Sequence, residues 1–219
     1  MSEPAAPSEL PLFLLHAVLF PRATLPLRVF EPRYRQMVDF CMERDRTFGV
    51  LLIRSGQEVG EPAEPHAVGT MARIEQVEHQ ADGTLLLLTV GVQRFRLLRM
   101  IDWQPFPLGA VEYLTDHEEP AVEPELVEGV EQRALRCVQL LLALNGEWVR
   151  RWQFPRDGPA LSYLVAARLP VALLTKQQLL EAPNAKTRLE LERPLLEQQQ
   201  EILWGRLMET MWLRSANLN

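Results

Sequence analysis

The chain is poor in the residues that most often announce chemistry. It has two cysteines, Cys41 and Cys137, with five serines and four histidines in 219 residues. Two cysteines so far apart suit free, buried thiols in a reducing compartment better than a disulfide framework. His16, His66, His79 and His117 share no metal-ligand spacing, and none stands beside a cysteine, so no metal site is expected. No serine lies in a G-x-S-x-G elbow. No G-x-x-x-x-G-K-S/T loop is present to cradle a phosphate. Long apolar runs are lacking too: the run 85–90 falls far short of the roughly 18 residues that cross a bilayer. Residues 1–7 have neither the basic nor the apolar part of a secretory signal, which makes the cytoplasm the expected compartment. No repeat of 20–50 residues is visible.

A cationic surface is also missing. The net charge is −6; residues 1–116 carry 11 basic against 15 acidic side chains (−4), and the rest carry 12 against 14 (−2). Bulk charge therefore disfavours nucleic acid as a partner. What is present is apolar substance: 47% of the residues are hydrophobic, enough to bury a core.

The pattern of those residues changes near residues 115–124. Before that point short strands dominate. Residues 10–15 read as a buried strand. In 25–30 the alternation puts Leu25, Leu27 and Val29 on one face of a second. Glu31-Pro32 then opens a helix, proline taking the first helical position. Its apolar stripe is Tyr34, Met37, Val38 and Cys41. Residues 48–53 form an uninterrupted strand, and 55–65, with Gly56, Gly60, Pro62 and Pro65, a loop. Strand 68–79 slips phase between Met71 and Ile74, which predicts a bulge. Asp82-Gly83 marks a hairpin into 85–90, Gly91 a bend into 94–103, and 108–114 a last strand.

After 124 the spacing turns helical. Val127, Val130, Ala134, Cys137, Val138, Leu141 and Leu142 define a long helix ending at Asn145-Gly146. A shorter helix spans 160–169. Thr175 with Gln178 fits a capping box for another, and Asn184 a cap for the last. Pro194 should kink or interrupt that last helix. Its Trp204, Met208, Met211 and Trp212, beside the leucines, exceed what one bundle covers, which admits a homodimer.

Several short stretches in one order carry a resemblance: Leu10-Pro11-Leu12-Phe13, Val18-Leu19-Phe20-Pro21, Leu25-Pro26-Leu27, Phe30-Glu31-Pro32-Arg33-Tyr34, Phe48-Gly49-Val50, Val68-Gly69-Thr70 and Arg94-Phe95. Lys176-Gln177-Gln178-Leu179-Leu180-Glu181, followed by Arg188-Leu189, extends it. The chain resembles the N-terminal substrate-recognition domain of the Lon family of ATP-dependent proteases. The resemblance implies an α+β fold: a PUA-like β-barrel with one helix over 9–116, a tail at 1–8, a linker at 117–124 and an all-helical subdomain over 125–219. It implies a recognition module for unfolded or degron-bearing polypeptide, without the ATPase or protease. No catalytic residue and no cofactor is expected; the partners are peptide segments, with a separate protease or chaperone as a further one. The alternative is an RNA-binding PUA-like module.

The expected binding residues are Arg33, Tyr34, Arg94, Trp148 and Trp152. Each also has a structural reading. Glu31 offsets the helix dipole while Arg33 or Tyr34 ties that helix to the sheet. Arg94 and Arg96 fall on the face opposite Phe95, normally the solvent face. Trp148, Trp152 and Phe154, among Arg150, Arg151 and Arg156, form the one basic-aromatic cluster, suited to gripping a peptide or packing between helices.

Overall fold

A computed structural model describes residues 7–58, 63–114, 122–147 and 153–216. Trp148, Trp152 and His117, and most of the expected linker, lie outside them. The elements run β1 (Ser8–Leu15), β2 (Thr24–Val29), α1 (Pro32–Met42), β3 (Thr47–Ser55), β4 (Glu64–Pro65), β5 (Val68–His79), β6 (Leu85–Asp102), β7 (Leu108–Tyr113), then α2 (Pro124–Leu144), α3 (Gly158–Arg168), α4 (Leu173–Glu181) and α5 (Ala185–Ala216). The fold class is α+β, as expected. Two compact units emerge: Met1–His117 with Val171–Glu181, and Glu118–Pro170 with Ala182–Asn219.

In the first unit β1 is paired on both sides, parallel to β3 and antiparallel to β7. The pairings β7–β6, β6–β5 and β5–β3 are antiparallel and return to β3, so these five strands close on themselves, with β2 paired on β6 and β4 on β3. This explains why β1 and β3 have nearly continuous apolar runs. In β1, Phe13 and Leu15 enter one core, whereas Leu10, Leu12 and Leu14 enter another. In β3, Phe48 and Val50 go to the first core, and Leu51 and Ile53 to the second. Alternate side chains leave opposite faces, and both faces are covered. The first core also takes the whole predicted stripe of α1: Tyr34, Met37, Val38 and Cys41 are all buried.

Phe95 is fully buried in the second core, and its ring occupies space that two glycines leave open. A Cβ at Gly49 would stand 2.6 Å from Phe95 Cζ, and one at Gly69 would stand 2.9 Å from it. The Asp82-Gly83 hairpin forms as read: Asp82 Oδ1 accepts from Thr84 N at 2.9 Å, and Gly83 has a φ of 79°. The predicted bulge is present as register shifts between Met71 and Ala72 and again between Ile74 and Gln76.

Four expectations are corrected. Gly91 does not end a strand; β6 runs through it for 18 residues. The glycine is needed because a Cβ there would lie 2.2 Å from the Phe20 carbonyl oxygen. Pro124 is not linker but opens α2 in its first turn. Thr175 caps nothing, since α4 begins at Leu173 and Lys176 N already donates to Ala172 O. Of the two outcomes expected at Pro194 the break is excluded, since α5 runs through it over 32 residues. Asn184 does cap that helix, accepting from Thr187 N at 2.8 Å.

Candidate functional site

In the second unit α2 and α5 run in the same direction. Glu123 meets Lys186 Nζ at 2.6 Å near their starts, Arg133 meets Glu197 at 2.9 Å, and Arg136 stands over Trp204 farther along. The buried side of α2 is Val130, Ala134, Cys137 and Leu140. Leu141, expected within that buried stripe, is 47% exposed. The reason is a gap. Leu141 and Leu142 of α2, Leu164 and Val165 of α3, and Leu196 and Leu203 of α5 border a cavity of ≈ 540 Å³. Phe154 closes one side, and Arg168, Gln153 and Gln199 supply the longer polar side chains of its lining. A cavity of this size with apolar walls and few polar groups has the usual character of a ligand site.

Two ionisable side chains of α5, Arg188 and Glu192, are buried in this unit. Arg188 is fully buried; its Nη1 donates to Ser162 Oγ at 2.9 Å, and its guanidinium lies 4.1 Å over the Tyr163 ring. Glu192, one turn along α5, is also fully buried, and neither carboxyl oxygen has a hydrogen-bond partner among the described residues. Burial pushes its pKa well above the usual carboxylate range, against the pull of Arg188. Cys137 donates its thiol to Leu196 O at 3.6 Å. Burial raises that thiol and pushes Cys41 to about 12, so both are held protonated and unreactive.

Of the expected binding residues Arg33, Tyr34 and Arg94 are described, and the side chains of all three are engaged by the fold. Arg33 Nε meets Glu31 Oε2 at 3.0 Å, its Nη2 donates to Glu58 O at 2.6 Å, and its guanidinium stacks 4.6 Å over the Tyr34 ring. Tyr34 is buried, its hydroxyl engaging the backbone of Leu14. These bonds tie α1 to the sheet and to the loop after β3.

Arg94 departs from the sequence expectation. It faces away from Phe95, yet it is only 3% exposed, and its Nη1 donates to Leu180 O of α4 at 2.9 Å. Arg96, two residues on, is the solvent-facing one, 3.5 Å from Glu112. Gln177 of α4 adds a bond to Val68 O at 2.9 Å, and His66 Nδ1 lies 3.7 Å from Glu181. Sequence reasoning missed Gln177; its place in the Lys176–Glu181 match was the available signal. The groove residues Leu164, Arg168 and Gln199 were missed because no local pattern separates a groove wall from a core.

The comparisons decide the family. Residues 9–198 match the family described as the ATP-dependent protease La (LON) substrate-binding domain. The chain belongs to that family. Lon protease 2 of Sorangium cellulosum is 28% identical over 206 residues, covering 91% of this chain and 26% of that protein. The chain thus spans about a quarter of the length of the curated relatives it matches. A Lon N-terminal domain protein from Xanthomonas campestris is 31% identical with a TM-score of 0.63, over 84% of this chain and 95% of that one. The N-terminal domain of Mycobacterium avium complex Lon protease, 18% identical with a TM-score of 0.62, covers 87% and 98% and attests the fold. The matched region is the non-catalytic, substrate-binding part of Lon. No helix among the described residues is long and apolar enough to cross a membrane.

Proposed function

We propose that the chain holds unfolded or degron-bearing polypeptide through short apolar segments, and that the cavity among α2, α3 and α5 receives them. The carrying observation is that cavity: its walls are leucine, valine and phenylalanine, and Leu141 at its border is half exposed. A polypeptide with exposed apolar side chains gains by burying them there, at roughly 25 cal/mol per Å² removed from water. In this reading the closed strand ring of the first unit is a PUA-like barrel, and the second unit is a helical subdomain. Tyr34 and Arg94 then act as scaffold, their side chains spent on the fold. The RNA-binding alternative gains nothing from the comparisons, and the net charge of −6 speaks against it.

Fluorescein-labelled casein, a polypeptide without a compact fold, tests the proposal. The expected result is binding on the order of micromolar by fluorescence anisotropy, without added ATP, weakened about tenfold by Leu141→Asp. Leu141 is exposed enough for that variant to fold. Absence of casein binding to the wild-type chain would overturn the proposal; equal binding by both proteins would remove the cavity from it.

A further inference from the structure

The cavity has a charge pattern as well as an apolar wall. Among the described residues its lining contains no aspartate or glutamate, and Arg168 is the one ionised side chain there. Arg168 stands in the last turn of α3 and is exposed. Among the described residues no carboxylate or carbonyl oxygen pairs with its guanidinium. Other arginines of this unit are committed: Arg133 to Glu197, and Arg188 to Ser162 and Tyr163. The volume of ≈ 540 Å³ lies in the range of roughly 300–1,000 Å³ that takes a compact ligand.

Resting on the reading of this cavity as the polypeptide site, we infer that it is selective for chain ends: the apolar C-terminal residues of a polypeptide, with the free α-carboxylate on Arg168. A guanidinium presents paired N–H donors in the fork that matches a carboxylate. Gln153 and Gln199 add neutral donors in the same lining. The apolar side chains of the ligand cover Leu141, Leu142 and Leu164 while its terminus meets the cation. A terminus also enters with a single chain direction leaving the cavity, whereas an internal segment needs two exits. The bland alternative is that Arg168 merely complements the negative end of the α3 dipole.

Three labelled peptides built on Gly-Ser-Gly-Leu-Leu-Phe separate these readings by anisotropy. One ends in the free acid, one in the amide, and one is amidated with a glutamate placed before the leucines. The free acid should bind at least about tenfold more tightly than the amide. Arg168→Gln should erase that gap with little effect on the amide, and Arg168→Lys should restore part of it. A dipole role alone changes stability but leaves the acid and amide equal. Equal binding of acid and amide by the wild-type chain would overturn the inference, as would a gap that survives Arg168→Gln. The amidated glutamate peptide matching the free acid would overturn selectivity for chain ends. If casein binds but none of the peptides does, this inference falls and the proposed function stands; if casein also fails, both fall.

Discussion

In the first unit β1 buries every side chain from Leu10 to Leu15, with Phe13 and Leu15 in one core and Leu10, Leu12 and Leu14 in another. In the second, α2 buries Val130, Ala134, Cys137 and Leu140 but leaves Leu141 half exposed beside a cavity. The strand unit closes its ring of pairings and turns the apolar residues of β1 inward, while Leu86, Leu88 and Leu98 of β6 stay exposed. The helical unit keeps an apolar wall open and carries two fully buried ionisable residues, Arg188 and Glu192, in its interior. A scaffold is built from complementary faces, whereas a binding surface must leave one face unmatched.

The sharpest way to break this contrast is to truncate one residue on each side of it. Phe95→Ala removes a fully buried ring from between Gly49 and Gly69, where glycine backbones cannot fill the space. The expected loss is about 3–5 kcal/mol for the first unit, read from urea unfolding. Leu141→Ala should cost about 0.5 kcal/mol or less, since the leucine is 47% exposed. Comparable losses at the two positions would show that the helical cavity is a closed core.

How much of this was legible in the sequence follows from the range of the contacts. The α1 stripe, the Asp82-Gly83 hairpin, the bulge after Met71 and the Asn184 cap are fixed by neighbours a few residues away, and periodicity or turn chemistry reveals them. Arg94 was misread because the alternation that sends it away from Phe95 says nothing of α4, whose Leu180 carbonyl arrives from 86 residues later. Gln177 reaches Val68 across 109 residues for the same reason. The α2 stripe was read correctly as apolar, yet whether Leu141 faces a neighbour or a gap depends on the spacing of three helices, which no local pattern encodes.

A smaller effect sharpens the account of the helical interior. Glu192 is buried without a hydrogen-bond partner among the described residues, so its carboxyl is held protonated in the folded chain well above the range where it ionises when unfolded. The folded state therefore binds a proton that the unfolded state has released. Stability contributed by this group is present at acid pH and is lost as pH rises from the ordinary carboxyl range through the raised value. Glu192→Leu should stabilise the second unit by about 1–4 kcal/mol at neutral pH. The gain over wild type should shrink at pH 4, when the unfolded carboxyl also begins to protonate. Urea unfolding at both pH values checks this, and a gain independent of pH would mean the carboxyl is ionised in the fold and satisfied in another way.

The smallest effect separates two residues that looked alike as caps. Asn184 Oδ1 accepts from Thr187 N at 2.8 Å and so satisfies one of the first free N–H groups of α5. Asn184→Ala removes that acceptor and should cost about 1 kcal/mol. Thr175 sits inside α4, and helical bonding has begun before it, with Lys176 N already donating to Ala172 O. Thr175→Ala replaces a β-branched residue with the best helix former and should be neutral or slightly stabilising. Thermal unfolding of the two variants gives opposite or unequal shifts if α4 begins at Leu173. A loss at Thr175 equal to that at Asn184 would move the start of α4 forward to the threonine, and would release Leu173 and Leu174 from the helix.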